Sequence, residues 1–246
     1  MTAVSDAWKF YRFGLLVTGK GEAEFAHTFF RSLMESGRCS FEVIRRIGQR
    51  SPITSEKRKL RMVGTGKTIP DRDANEIGLP ARRYLQQSET FVILLDDLEA
   101  DRQPIHADVF ARYRESLDAL LPPAMRTRAA VHFFVVMIEA YYFADADAIN
   151  DALGTVLSDY DGDVEAIPHP KNELKRLAPG FDEMTDGAKI VRKLDLRHVL
   201  SNPDTCASLR SLFKWCATAI QLPQSDEFQL VDGLYCPITG SQIDSR

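Results

Sequence analysis

The chain has 246 residues, 44% of them hydrophobic and 27% charged, with a formal net charge of −4. That composition excludes a disordered chain and collagen-like or coiled-coil repeats, and four cysteines in this length exclude a disulfide scaffold. The acidic balance gives no global attraction to nucleic acid or to an anionic membrane, so a polyanion would have to be met by a local patch or through metal ions. The start of the chain, MTAVSDAWKFYRFG, has no apolar run of signal-peptide length, and no run of about 18 apolar residues occurs. Both point to a cytoplasmic chain without a membrane span.

The first apolar run, Phe13 to Val17, is short and ends at Thr18-Gly19-Lys20-Gly21, which predicts a buried strand closed by a tight turn. From Glu22, Phe25, Phe29 and Leu33 recur at helical spacing, predicting an amphipathic helix that ends near Gly37. Phe41 to Ile47 reads as a second strand. Residues 48–70 are polar and broken by Gly64, Gly66 and Pro70. A helix carrying Arg72, Ala74, Ile77, Ala81 and Tyr84 follows, with an interruption expected around Gly78-Leu79-Pro80. Thr90 to Leu95 is a fully apolar strand expected to stop at Asp96-Asp97. A helix from Ile105 to Leu121 leads to a strand over Val131 to Ile138, and Glu139 opens a helix through Leu153. Strand and helix alternate four times, which predicts an α/β fold with a mostly parallel sheet and helices on both faces. Three further helices are expected from His169, over 186–200 and from Asp204 to Ile220. The chain thus divides into an α/β unit over 10–165, a helical extension packed on it over 166–221 and a weakly patterned tail over 222–246.

In open α/β sheets, function sits outside the carboxyl ends of the strands. Those ends carry Glu22, Asp96, Asp97, Glu99 and Glu139, five acids at one edge. Close carboxylates repel unless a cation intervenes, and an oxygen-only set suits Mg²⁺ or Mn²⁺. The same residue types also serve as caps and first-turn charges of helices, which is the plainer reading of any one of them.

Several of these segments resemble Toprim-like proteins. Leu16-Val17-Thr18-Gly19-Lys20-Gly21-Glu22-Ala23-Glu24-Phe25 is similar to the first Toprim motif, a strand ending in a Val-Glu-Gly turn, and Leu94 to Glu99 sits where Toprim places an Asp-x-Asp pair. Ile138-Glu139-Ala140-Tyr141-Tyr142-Phe143-Ala144-Asp145 resembles the Glu-Ala-Trp-x-x-Ala-Asp block of the bacterial RloB-like proteins, a Toprim-like family of unknown function. Pro170-Lys171-Asn172 and Cys206 to Phe213 resemble later blocks of that family, so the likeness spans roughly residues 13–216. The resemblance implies a Toprim-like sheet, a role in bacterial defence and an AAA- or ABC-type ATPase as partner. It also implies Mg²⁺ or Mn²⁺ held by Glu22, Asp96, Asp97, Glu99 and Glu139, with Glu22 and Lys171 in catalytic roles. Two departures stand out. Thr18 occupies the position of the first glutamate and cannot act as an acid or base near neutral pH. Leu98 follows Asp96 two residues on, so an acidic pair requires Asp97 and Glu99, one position out of register.

Residues 45–67 hold eight Lys or Arg against the single acid Glu56. Arg45, Arg46, Lys57, Arg58, Lys59 and Arg61 could follow a phosphate backbone, or could belong to a solvated loop. Gly64-Thr65-Gly66-Lys67-Thr68 lacks the first glycine of a P-loop, since Arg61 stands there. Asp159 to Glu165 fails as a calcium loop, because Val164 and Pro170 occupy the positions that need Gly and Glu. The acidic stretch 139–165 could dock a basic partner, and the cysteines show no zinc spacing. The expected function is Mg-dependent cleavage of phosphodiesters in nucleic acid. The alternatives are a degenerate Toprim-like scaffold that binds a partner ATPase, and an enzyme acting on small phosphorylated ligands.

Overall fold

The computed structural model describes residues 9–202 and 204–222. Four strands form one sheet, β1 (Tyr11–Val17), β2 (Cys39–Arg46), β3 (Thr90–Leu98) and β4 (Ala129–Val135). All neighbouring pairs run parallel, in the order β2-β1-β3-β4. Between β1 and β2 lie α1 (Lys20–Phe29) and α2 (Arg31–Met34). Between β2 and β3 come α3 (Glu56–Gly64), α4 (Asp71–Asp73), a π turn over Ala74–Gly78 and α5 (Leu79–Tyr84). A 3₁₀ turn over Gln103–Ile105, α6 (His106–Asp118) and α7 (Pro123–Arg126) lead to β4. After it follow a 3₁₀ turn over Ile138–Ala144, α8 (Ala146–Leu153), a 3₁₀ turn over Val164–Ala166, α9 (Pro170–Leu177), α10 (Thr185–Lys193), α11 (Leu196–Ser201) and α12 (Ala207–Ala219).

Alternate strand residues feed two cores, as the period of two requires. Phe13, Leu15, Val17, Ile93, Leu95 and Phe134 face a core built with α1, α2 and the helices after β4. Leu16, Val92, Leu94, Leu98, Val131 and Phe133 face a second core with Ile77, Ala81, Val109, Tyr113 and Leu117. Both faces of the sheet are therefore covered, as the strand–helix alternation predicts. Residues from α9 to α12 belong to the first core directly: Phe30 stacks on Phe41 at 4.2 Å and on Phe213 at 5.6 Å.

Several elements differ from their sequence reading. β3 runs through Asp96 and Asp97 to Leu98, because β4 offers Phe133, Phe134 and Val135 as pairing partners there. β4 ends at Val135 and not at Ile138. The helix expected from Glu139 is split, since Asp145 stops the 3₁₀ turn and caps α8 by accepting from the Ala148 amide. The polar stretch 48–70 contains α3, a helix with no buried residue. Its Leu60 and Val63, one turn apart, are both exposed. The expected break at Gly78-Leu79-Pro80 is absorbed by the π turn, and Gly78 lies so near α6 that a Cβ would fall 2.8 Å from the Ser116 carbonyl oxygen. The tail expected over 222–246 lies, from 223 on, outside the described residues. Among the described residues no helix is long and apolar enough to cross a membrane.

Candidate functional site

The chain leaves β1 toward α1 on one side, while β3 lies on the other side of β1 and leads on to β4. The crevice beyond the carboxyl ends of β1 and β3 is thus a switch point of the topology. A cavity of about 540 Å³ opens there. Thr18 to Glu22 from the β1–α1 turn, Asp97 and Glu99 from the end of β3, Glu139 from the turn after β4, and Lys171 and Glu183 from the C-terminal helical region line it.

Parity on β3 decides which acid enters. Asp97 shares the face of Ile93 and Leu95 and reaches the cavity with Glu99. Asp96 shares the face of Leu94 and Leu98 and does not join them. Its buried carboxylate accepts from Arg102 Nη2 at 2.6 Å, from the Tyr113 hydroxyl at 2.9 Å and from Thr18 Oγ1 at 2.7 Å. Arg102 also donates to the carbonyl oxygens of Asp97 and Arg50. Burial opposes charge on this guanidinium, but Asp96 outweighs it and holds the Arg102 pKa above its ordinary value. Thr18 therefore braces Asp96 from the cavity side.

Glu22 is buried on the first turn of α1, where its Oε1 accepts from the Gly19 amide at 3.0 Å. That is the backward half of a capping box. Burial raises the Glu22 pKa, and the charge of Asp96 adds to the shift. Burial also raises Asp97 well above the ordinary carboxylate range, with Glu22 and Glu139 adding to it, and raises Glu139. Lys171 Nζ stands 3.7 Å from Glu139 and 3.0 Å from Glu183. Burial works against its charge, yet the two carboxylates hold its pKa above normal.

Three atoms here are sealed from solvent and have no hydrogen-bond partner among the described residues: Asp97 Oδ1, Glu139 Oε2 and the Tyr142 hydroxyl. The fully buried Tyr142 ring puts its hydroxyl in the field of Glu139 and Asp97, which, after burial, raise its pKa further. Orphaned buried oxygens of this kind call for a missing partner. The donor set is all oxygen and carries excess negative charge, which fits a hard divalent cation such as Mg²⁺ or Mn²⁺. The ligand shell is not preformed: among the described residues no three His, Cys, Asp or Glu side chains are gathered closely enough to hold a metal ion.

The backbone that presents Glu139 is strained. Val136 has φ 60° and Met137 has φ 87° with ψ 161°, a region that glycine alone occupies comfortably. Met137→Gly is expected to raise the urea midpoint, by about 1 kcal/mol in stability, while leaving β4 intact. An unchanged or lowered midpoint would show that the turn is not under load.

The basic residues fall into two places. Arg45 and Arg46 line a groove beside the carboxylate cavity. Lys57, Arg58 and Arg61 line a separate cleft against Lys67 and Asp71, and Lys59 pairs with Glu56 on the outer face of α3. Sequence reasoning missed Arg102, Tyr113 and Glu183, which no local motif marks, and met Tyr142 only as part of a block.

Comparison with curated proteins and with solved structures finds no match. A family model described as Domain of unknown function (DUF4276) matches residues 17–215, from the last residue of β1 to the middle of α12. That stretch contains every lining residue of the carboxylate cavity, and the chain accordingly belongs to the DUF4276 family.

Proposed function

We propose that the protein is a Toprim-like, divalent-cation-dependent hydrolase that cleaves phosphodiesters in nucleic acid. The single observation that carries this reading is the convergence of Glu22, Asp97 and Glu139, from three different strand ends, on one cavity where two carboxylate oxygens lack partners. The resemblance of the Glu22, Asp97–Glu99 and Glu139 segments to Toprim and RloB-like motifs supports it further.

In this reading Glu22, Asp97, Glu99 and Glu139 hold Mg²⁺ or Mn²⁺, and Asp96 acts from the other face by fixing Thr18. When bound, the cation neutralises phosphate charge and acidifies the attacking water. Lys171 donates a hydrogen bond from Nζ to a non-bridging phosphate oxygen. Glu22, whose pKa is raised by burial, takes the proton of the water that adds to phosphorus. The phosphodiester P–O bond breaks, and the leaving alkoxide takes a proton from solvent. The protein would work in the cytoplasm beside a partner ATPase, in defence against foreign DNA.

A second reading is a scaffold without catalysis. The presence of Thr18 in place of an acid, and its hydrogen bond to Asp96, favour it. The test is incubation with plasmid and oligonucleotides in Mg²⁺ and in Mn²⁺, beside Asp97→Ala and Glu139→Ala. Cleavage reduced roughly 10²–10³-fold in each variant is the expected result. Cleavage that survives both substitutions is a contaminant's and overturns the proposal. No cleavage and no Mn²⁺ binding leaves the scaffold. Turnover of a mononucleotide with polymers untouched would instead mark a small phosphorylated ligand as substrate.

A further inference from the structure

The cavity of carboxylates shares a wall with a second recess of opposite character. A groove of about 460 Å³ lies beside it, lined by Thr18, Lys20, Arg45, Arg46, Arg72 and Glu76 among others, and Thr18 and Lys20 face both. Four cationic side chains meet one carboxylate there. That carboxylate, Glu76, is already engaged by Arg50 and Arg72. Lys20 also feels the charge of Asp182.

Arg45 and Arg46 close the edge strand β2, are exposed, and form no ion pair among the described residues. Their placement has a local cause. The pairing of β1 with β2 slips between Leu15 and Leu16, so that Leu15 faces Val43 while Leu16 faces Arg45, and Ile44 is the extra residue. Such a bulge bends an edge strand and re-aims the side chains that follow it. Here both arginines line the same groove. Two unpaired guanidiniums side by side on a chain of net charge −4 are a local anion site, not part of a general basic surface.

We propose that this groove is a phosphate-binding subsite that holds the backbone flanking the scissile bond, so that the site takes an oligonucleotide and not a mononucleotide. The inference rests on the hydrolase reading for the role of the carboxylate cavity, but the groove binds phosphate without the cation. Guanidiniums contact phosphate oxygens in bidentate fashion, without reading sequence. The shared wall at Thr18–Lys20 makes the two recesses successive stations for one strand, with one phosphate over the carboxylates and its neighbour over Arg45 and Arg46.

The experiment measures fluorescence anisotropy of a labelled single-stranded 12-nucleotide probe, as DNA and as RNA, in EDTA and at several salt concentrations. The variants are Arg45→Ala/Arg46→Ala and, as a control of equal charge, Arg82→Ala/Arg83→Ala. The control residues are exposed on α5, toward the opposite, amino-terminal edge of β3. The Arg45/Arg46 variant is expected to bind about tenfold or more weakly, with the salt slope flattened by about 1.4 for two lost phosphate contacts. The control keeps wild-type affinity, and an unlabelled mononucleotide competes poorly. DNA and RNA probes that behave alike assign the groove to the shared backbone, and a preference for one names the polymer. Equal affinity of wild type and the Arg45/Arg46 variant, or equal weakening in the control, overturns the proposal. Because EDTA removes the cation, intact binding with no cleavage in Mg²⁺ counts against the hydrolase reading alone.

Discussion

Arg102→Met is expected to destabilise the fold by about 3–5 kcal/mol, because it leaves the fully buried Asp96 carboxylate with its charge uncompensated. For a domain of this size that is a fall in Tm of roughly 6–20 °C. Methionine matches the length of the arginine stem but donates nothing, so the carbonyl oxygens of Asp97 and Arg50 each lose a bond as well, Asp97 keeping the one from Gln49. Asp96→Asn/Arg102→Met is expected to recover part of the loss, since the amide oxygen still accepts from one of the two hydroxyls, Thr18 or Tyr113, without a buried charge. Urea denaturation of the two single variants and the double variant forms a cycle whose coupling energy measures the pair. A Tm for Arg102→Met within about 2 °C of wild type would mean that water replaces the guanidinium, and that the Asp97 end of β3 is held by something else.

Asp97→Asn is expected to act in the opposite direction, stabilising the protein at neutral pH and removing its response to divalent cations. Folding raises the Asp97 pKa above its unperturbed value of 3.8, first by burial and then through the Glu22 and Glu139 charges. A carboxyl raised in this way binds more proton in the folded state than in the unfolded one. Its contribution to stability is therefore complete below the unperturbed value and is lost as pH climbs toward the folded one. Glu22 and Glu139 are raised as well and titrate with the same sign. The contribution of these three carboxyls to wild-type stability should fall as pH rises through and above the ordinary carboxylate range. The asparagine variant should show a shallower fall and, at neutral pH, a gain of about 1–3 kcal/mol from no longer burying that charge.

Mn²⁺ is expected to close most of the gap between the two proteins, or to reverse it. At a free concentration of a hundred times its Kd it adds about 2.7 kcal/mol to wild type. That corresponds to roughly 5–10 °C in Tm, and the variant should gain little. Thermal melts across pH, with and without Mn²⁺, separate the two effects. A pH profile untouched by the substitution would mean that Asp97 is solvated and not held in the cavity. A profile that changes while Mn²⁺ does nothing would leave a repelling cluster without a cation, as the scaffold reading requires.

Much of the fold was legible because burial writes itself into period and length. Phe13 to Val17, Thr90 to Leu95 and Val131 to Val135 are apolar runs of strand length, and both faces of a parallel sheet must be covered. The acids at the strand ends were legible for the same reason, since an apolar run ends where charge begins. The choice between Asp96 and Asp97 was not. It depends on how far β3 continues, and β4 sets that by pairing Phe133, Phe134 and Val135 alongside Asp96, Asp97 and Leu98. The exposed helix α3 was missed because Leu60 and Val63 give only one turn of helical spacing inside a polar stretch broken by Gly64, Gly66 and Pro70. Arg102 and Tyr113 stand 6 and 17 residues from Asp96, on elements whose approach no local pattern records.

The order of residues alone therefore determined a parallel α/β layer structure and a rim of acids, because hydrophobic period and strand length are local properties of the chain. Which acids share a cavity, which one is neutralised by a buried guanidinium, and which cations stand beside them were decided only by tertiary structure. Side-chain parity, register and the Coulomb energy of a buried charge all depend on neighbours brought from elsewhere in the chain.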